Sequence, residues 1–251
     1  MRSLKTVISL VASSWLLLCG AVYGGERSAE LSISTVKGTS GTRYHLYGKG
    51  AGLYISWNRE RPSKSDKAIK LCIPAAFTST TGTVVGIFAV NGEVGNREQI
   101  SKSIGGILKI VDGEFKIFPS DKGERFTQRF IDSLKTERAS LFQQFQLVEN
   151  GVASKFKDKR HFQMRAIGKF ASRLEAVIES DSAIDFKTFN SDLVGMGVKD
   201  AIYTDMGAWD EGWYRNPKTS KVVPIGKDRS KTQKQTNWIT FVSHRESRNA
   251  H

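Results

Sequence analysis

The sequence predicts an α+β fold, a mainly antiparallel mixed sheet system with two principal helices packed on it in a single domain. Three observations carry that expectation. Apolar runs are broken by Asn-Gly or Asp-Gly at three places: Val84 to Val94 around Asn91-Gly92, Ile107 to Phe118 around Asp112-Gly113, and Phe145 to Val152 around Asn150-Gly151. These dipeptides accept the positive backbone angles of tight hairpin turns, so each run reads as two antiparallel strands. Helical spacing occurs in two stretches, near Phe126 to Phe145 and Phe186 to Val194. No regular alternation of strand and crossover helix accompanies them.

Taken in order, residues 1–24 carry Arg2 and Lys5, an apolar run from Val7 to Leu18 and small residues toward Gly24. That is the layout of a secretory signal cleaved near Gly24, which makes the mature chain exported, periplasmic or secreted. The run is short for a membrane span and no second one follows. Lipoprotein anchoring through Cys19 is disfavoured because Leu18 precedes it where a small residue is needed. With Cys19 gone only Cys72 remains, so no internal disulfide forms; between Leu71 and Ile73 it reads as a buried small hydrophobe.

Residues 25–69 form a strand-rich segment continuous with the rest of the domain, residues 70–251. Strands lie between Leu31 and Trp57, with a turn at Gly48 to Gly52. Asn58 to Lys70 is charged and carries Pro62, so it reads as a loop or short surface helix, and Lys70 to Phe77 begins a buried segment. Phe126, Phe130, Leu134, Leu141 and Phe145 recur at four or seven, with Ile131 and Phe142 beside them. This predicts one long amphipathic helix covering a sheet face, with Asp121 and Glu124 as a capping box. His161 to Ala171 and Arg173 to Ile184 read as strands. A helix opens near Asp185, whose carboxylate can cap it, and buries Phe186, Phe189, Leu193 and Val194. Gly195 and Gly197 stop it, Ala201-Ile202-Tyr203 is a core strand, and Asn237 to Ser243 is the last one.

The formal net charge is +13, or +11 without Arg2 and Lys5. A basic protein of this kind suits anionic glycans, an envelope surface or nucleic acid. Nucleic-acid motifs are absent, so no specific nucleic acid is expected as a partner. Part of the charge is concentrated between Pro217 and Gln235, where six cations face only Asp228. That stretch reads as a long exposed loop.

The chemistry concentrates between Gly195 and Arg215. Asp205 follows the core strand, where a partly desolvated carboxylate is paired, metal-bound or employed in chemistry. Trp209, Asp210, Glu211, Trp213, Tyr214 and Arg215 follow it closely. Rings stack on pyranose faces and carboxylates bind hydroxyls, so the cluster suits a sugar or sugar-phosphate; rings in the core and charges in a solvated turn are the other reading. Arg165 sits among apolar neighbours, so it either pairs with a carboxylate or points into a site as an anion fork. There is no phosphate-binding Gly-rich loop, no zinc-ligand spacing and no nucleophile elbow, and the four histidines are scattered.

The succession Gln146-Leu147-Val148-Glu149-Asn150-Gly151, Arg165-Ala166-Ile167-Gly168, Leu193 through Gly197, and Ala201-Ile202-Tyr203-Thr204-Asp205-Met206-Gly207 resembles the phosphodiester glycosidase family. Members include the uncovering enzyme, which removes N-acetylglucosamine from phosphodiester-linked mannose. The order agrees over roughly Lys70 to Phe241. Met206-Gly207-Ala208-Trp209-Asp210 replaces the family's glycine-rich run, Ala166 its threonine, and Ala75-Ala76-Phe77-Thr78 lacks its early asparagine. The chain resembles a divergent bacterial branch. The resemblance implies hydrolysis of a sugar-1-phosphodiester or related anionic glycan. Arg165 then holds the phosphate, Gly207 is a motif glycine, and Asp205 is the main carboxylate, acting as acid, base or ligand of a divalent metal ion. Asp210 or Glu211 is the second carboxylate, and Trp209 and Trp213 stack on the sugar. A non-catalytic glycan- or envelope-binding protein on the same fold is the alternative, with a structural envelope protein attached through the basic loop behind it.

Overall fold

The computed structural model describes residues 29–243. The signal-like segment with Cys19, and His244 and His251, lie outside the described residues. In chain order the first elements are β1 (Ser32–Lys37), β2 (Arg43–Gly48), β3 (Leu53–Asn58), β4 (Ile69–Pro74), β5 (Phe88–Val90) and β6 (Glu93–Gly95). They are followed by β7 (Gly106–Val111), β8 (Glu114–Pro119), α1 (Gln128–Thr136), β9 (Ser140–Gln144), β10 (Gln146–Glu149) and β11 (Val152–Ala153). The last are β12 (Phe162–Phe170), β13 (Glu175–Ile184), α2 (Phe186–Gly195), β14 (Val198–Tyr203), β15 (Trp213–Arg215), β16 (Val222–Pro224) and β17 (Trp238–Ser243).

The three Asn-Gly and Asp-Gly hairpins form as β5-β6, β7-β8 and β10-β11. Asn91, Asp112 and Asn150 have φ between 48° and 50°, and the following glycines also take positive φ. Those strands join three sheets in which every pairing is antiparallel: β1-β2-β13-β12-β14-β10-β11, β16-β15-β4-β17-β3 and β6-β5-β9-β7-β8. Ile167, Val177 and Ile202 of the first sheet meet Leu71, Ile73 and Phe241 of the second and Leu108, Phe115 and Phe142 of the third in one core. The turn at Gly48 to Gly52 therefore passes the chain from the first sheet to the second.

Helix α2 follows the sequence closely. Asp185 accepts a hydrogen bond from the Thr188 N–H at 2.8 Å, Phe186, Phe189 and Leu193 are buried against the first sheet, and Gly197 turns the chain out at φ +86°. The other predicted helix is corrected. It ends at Thr136, Arg138 takes a φ of +48°, and Leu141 and Phe142 lie in β9 at the centre of the third sheet. Leu141 points to the layer under α1 and Phe142 to the common core. A strand buried on both faces reads as a continuous apolar run, which periodicity cannot tell from a buried helical turn. As expected, α1 does cover a sheet face, through Ile131 and Leu134.

The capping box is also corrected. Asp121 has a φ of +50° in a short 3-10 turn, and its carboxylate pairs with Arg125. Thr127 caps α1 instead, its Oγ1 accepting from the Phe130 N–H at 3.2 Å. Replacing Thr127 by Ala should lower the unfolding free energy by about 1 kcal/mol in urea titration.

The stretch 58–70 holds no helix: it is a loop between Asn58, the last residue of β3, and Ile69, the first of β4. The stretch 217–235 is more ordered than a free loop, since β16 pairs with β15 and Ile225 is buried. Cys72 is buried in the second sheet, and burial pushes its thiol pKa up, as befits an inert packing residue. Among the described residues no helix is long and apolar enough to cross a membrane.

Candidate functional site

Strand β14 is buried between β12 and β10, and at its end the chain leaves the sheet. Thr204 is held by its N–H to the Arg165 carbonyl at 3.1 Å, and Asp205 by its N–H to the Ala75 carbonyl at 2.9 Å. The Asp205 carboxyl is thereby fixed between the ends of β14 and β4, half-buried. Burial raises its pKa to about 7; the backbone N–H groups of Thr78 and Met206 pull it down, while the charge of Asp210 pushes it up. Beside it opens a cleft of about 470 Å³ walled by Phe162, Tyr203, Met206, Gly207, Asp210 and Lys227 among others. Gly207, at φ +104°, lines the cleft, and open space surrounds the place a side chain there would occupy.

Arg165 is fully buried, 0% exposed, in the middle of β12. Its Nη1 and Nη2 donate to the two carboxylate oxygens of Asp210 at 2.9 and 2.8 Å, and its Nε donates to Glu179 at 2.6 Å. Burial opposes the guanidinium charge, but Asp210 and Glu179 more than offset it and hold its pKa above the ordinary value. Asp210, 1% exposed, accepts a third bond from the Gly212 N–H at 2.8 Å. Gly226 lies across this group, its N–H donating to Glu179, at a point where any Cβ would overlap the Asp210 carboxylate. Of the two sequence readings of Arg165, the structure supplies the carboxylate partner, and that partner is Asp210 with Glu179 rather than Asp205.

The remaining predicted site residues disperse. Glu211 is buried and paired with Arg61, with Lys64 at 3.6 Å. Trp213, 1% exposed, packs with Ile69, Cys72 and Trp238 inside the second sheet, leaving no free face for a sugar. Tyr214 rests on Tyr47 with ring centres 5.3 Å apart. Arg215 is buried and donates to the carbonyls of Ile69, Lys64, Asp66 and Ser220, which makes it a clasp for two loops. Trp209 is half-buried with the Lys234 ammonium 5.7 Å from its ring centre. Of the predicted site residues the cleft wall holds Gly207 and Asp210, with Asp205 two residues before Gly207 in the chain.

Two residues that sequence reasoning passed over shape the site. Glu179 faces Arg165 across the β12-β13 pairing, and its signal was an acid directly after the apolar run Ala176-Val177-Ile178. Asn237 is fully buried; its Oδ1 accepts from the Ala76 N–H at 2.7 Å and its Nδ2 donates to the Ala76 carbonyl at 3.0 Å and to Thr78 Oγ1 at 3.3 Å. It fixes the segment 75–78 on which Asp205 hangs, and nothing local in the sequence marks it. Among the described residues no group of three or more His, Cys, Asp or Glu side chains converges to hold a metal ion.

The three-sheet arrangement is similar in overall fold to solved structures. It is similar to the zebrafish N-acetylglucosamine-1-phosphodiester alpha-N-acetylglucosaminidase catalytic domain auto-inhibited by its pro-peptide, with a TM-score of 0.57 at 11% identity over 86% of this chain and 83% of that one. It is similar also to a hypothetical protein from Synechocystis, with a TM-score of 0.52 at 10% identity over 85% of this chain and 62% of that one. No family model and no curated protein matches the sequence. At such identities the likeness is one of fold, and it marks a distant structural relationship.

Proposed function

We propose that the protein is an exported hydrolase that cleaves a sugar-1-phosphodiester or related anionic glycan, with Asp205 as general acid. The observation that carries the reading is the placement of Asp205: a half-buried carboxyl, raised to about 7, at the end of a core strand beside a cleft of about 470 Å³. A carboxyl in that range is partly protonated at neutral pH and can hand its proton to a leaving oxygen. Phe162, half-buried, gives the cleft ring surface for a pyranose, and Lys227 gives it a cation. The fold likeness to a phosphodiester glycosidase domain supports the same substrate class.

Asp210 suits the role of second carboxylate less well, because both its oxygens are engaged by Arg165. That saturated pair favours the second reading, a glycan-binding protein that keeps the fold without turnover. The test is release of free sugar from a panel of sugar-1-phosphodiesters, including an N-acetylglucosamine one, with and without chelator. Asp205→Asn should lower turnover by about a hundredfold or more. Wild-type rate should fall as pH rises through about 7, because the acid is active only while protonated. Equal rates in the two proteins, or no release from any substrate, would remove Asp205 from catalysis.

A further inference from the structure

The two charged stretches 58–70 and 217–235 lie far apart in sequence and join in space. The first holds five cations and two acids, the second six cations and one acid. Arg61 donates to the carbonyls of Thr232 and Gln233 at 3.3 Å and pairs with Glu211. Arg215 reaches from β15 to the carbonyls of Lys64 and Asp66 on one side and Ser220 on the other. The tip carrying Lys218 and Lys221 is therefore clasped to the loop of Lys64 and Lys67, while Lys231 and Lys234 lie beside Arg61. Lys64, Lys67, Lys218, Lys221, Lys231 and Lys234 are all exposed.

This face runs into the cleft. The Lys231 N–H bonds the Ala208 carbonyl at 2.7 Å, Lys234 sits over the Trp209 ring, and Lys227 and Asp228 form part of the cleft wall. Like charges held together by the exposed Arg61 and the buried Arg215 raise the local potential above what a solvated lysine run gives, and attract polyanions over a range set by salt.

We propose that the joined loops form a binding face for an anionic polysaccharide, whose chain continues past Trp209 toward Asp205; the second half rests on the catalytic reading, the first does not. The chemistry of the face selects among polyanions. Neither stretch contains a Phe, Trp or Tyr; of the rings bordering them Trp209 is half-buried, while Trp238 beneath Arg61 and Phe88 beneath Arg59 are buried, whereas single-stranded nucleic acid is gripped by successive exposed rings. A bilayer surface is gripped by apolar side chains that insert into it. Among the described residues the exposed large hydrophobics are Ile33 and Val152, both outside these loops.

The experiment measures binding of the full chain to polygalacturonate, to single-stranded DNA and to vesicles rich in anionic lipid. It is done at low and at physiological salt. Lys218→Glu/Lys221→Glu/Lys231→Glu is compared with Lys102→Glu/Lys116→Glu/Lys135→Glu, which makes the same charge change around the third sheet. The expected result is salt-sensitive binding tightest to polygalacturonate, weakened about tenfold or more by the first triple and less than about threefold by the second. Equal weakening by both triples would reduce the effect to net charge and overturn the proposal. Tighter binding to DNA or vesicles, or no binding at low salt, would overturn it too. Turnover of small sugar phosphodiesters reads the catalytic proposal separately: polysaccharide binding without it leaves the face standing and removes the enzyme.

Discussion

Asp210→Ala should lower the stability of the folded protein by about 3–5 kcal/mol. The carboxylate is buried and takes both ends of the Arg165 fork, so its loss strands a guanidinium that is 0% exposed with Glu179 alone for compensation. It also removes the acceptor of the Gly212 N–H. Glu179→Gln should cost clearly less, because the bidentate half of the arrangement survives. Urea unfolding of the three proteins at neutral pH, followed by circular dichroism, orders them. An Asp210→Ala loss under about 1 kcal/mol would mean that water or a neighbouring acid rescues Arg165, and that the pair is dispensable to the fold.

Asp205→Asn should behave in the opposite sense and become more stable than wild type at alkaline pH. The native carboxyl is raised to about 7, mainly by burial, against about 3.9 in an unfolded chain. Below pH 4 both states carry the proton and Asp205 imposes no penalty. Between pH 4 and 7 the unfolded chain gives up its proton while the native state keeps it, so wild-type stability falls as pH rises and levels off above 7. Asparagine carries no such proton, and its oxygen can still accept the Thr78 N–H. The two proteins should therefore be close in stability near pH 4 and differ by about 1–3 kcal/mol in favour of the variant near pH 8. Parallel stability curves across that range would show that Asp205 ionises freely in the folded protein. Together with lost turnover, gained stability would mark Asp205 as a residue kept at a cost to the fold.

How far each feature could be read follows from how local its cause is. The hairpin turns rest on two adjacent residues whose backbone angles only Asn, Asp and Gly adopt readily, and all three formed. Helix α2 rests on a cap, a periodic face and a closing glycine within thirteen residues. Leu141 and Phe142 were misplaced because pairing with β5 and β7, more than thirty residues earlier, makes their segment a strand, and its two faces are buried by the layer under α1 and by the common core. In the site, Asp205 was legible from a strand ending in an acid. The fates of Trp213, Tyr214 and Arg215 were not, since β15 takes them into the second sheet beside β4.

The sequence by itself determined the antiparallel α+β class, the cap of α2, the position of Asp205 at a strand end and the burial of Cys72. Each follows from neighbours in the chain, through backbone angles and hydrophobic period. Only the tertiary structure decided that Arg165 pairs with Asp210 and Glu179, that Asn237 anchors the segment bearing on Asp205, and that two basic stretches far apart in the chain share a face through Arg61 and Arg215. Ion pairs and amide clasps of that kind depend on which sheets meet, and a charged side chain in isolation carries no record of the partner that burial will require of it.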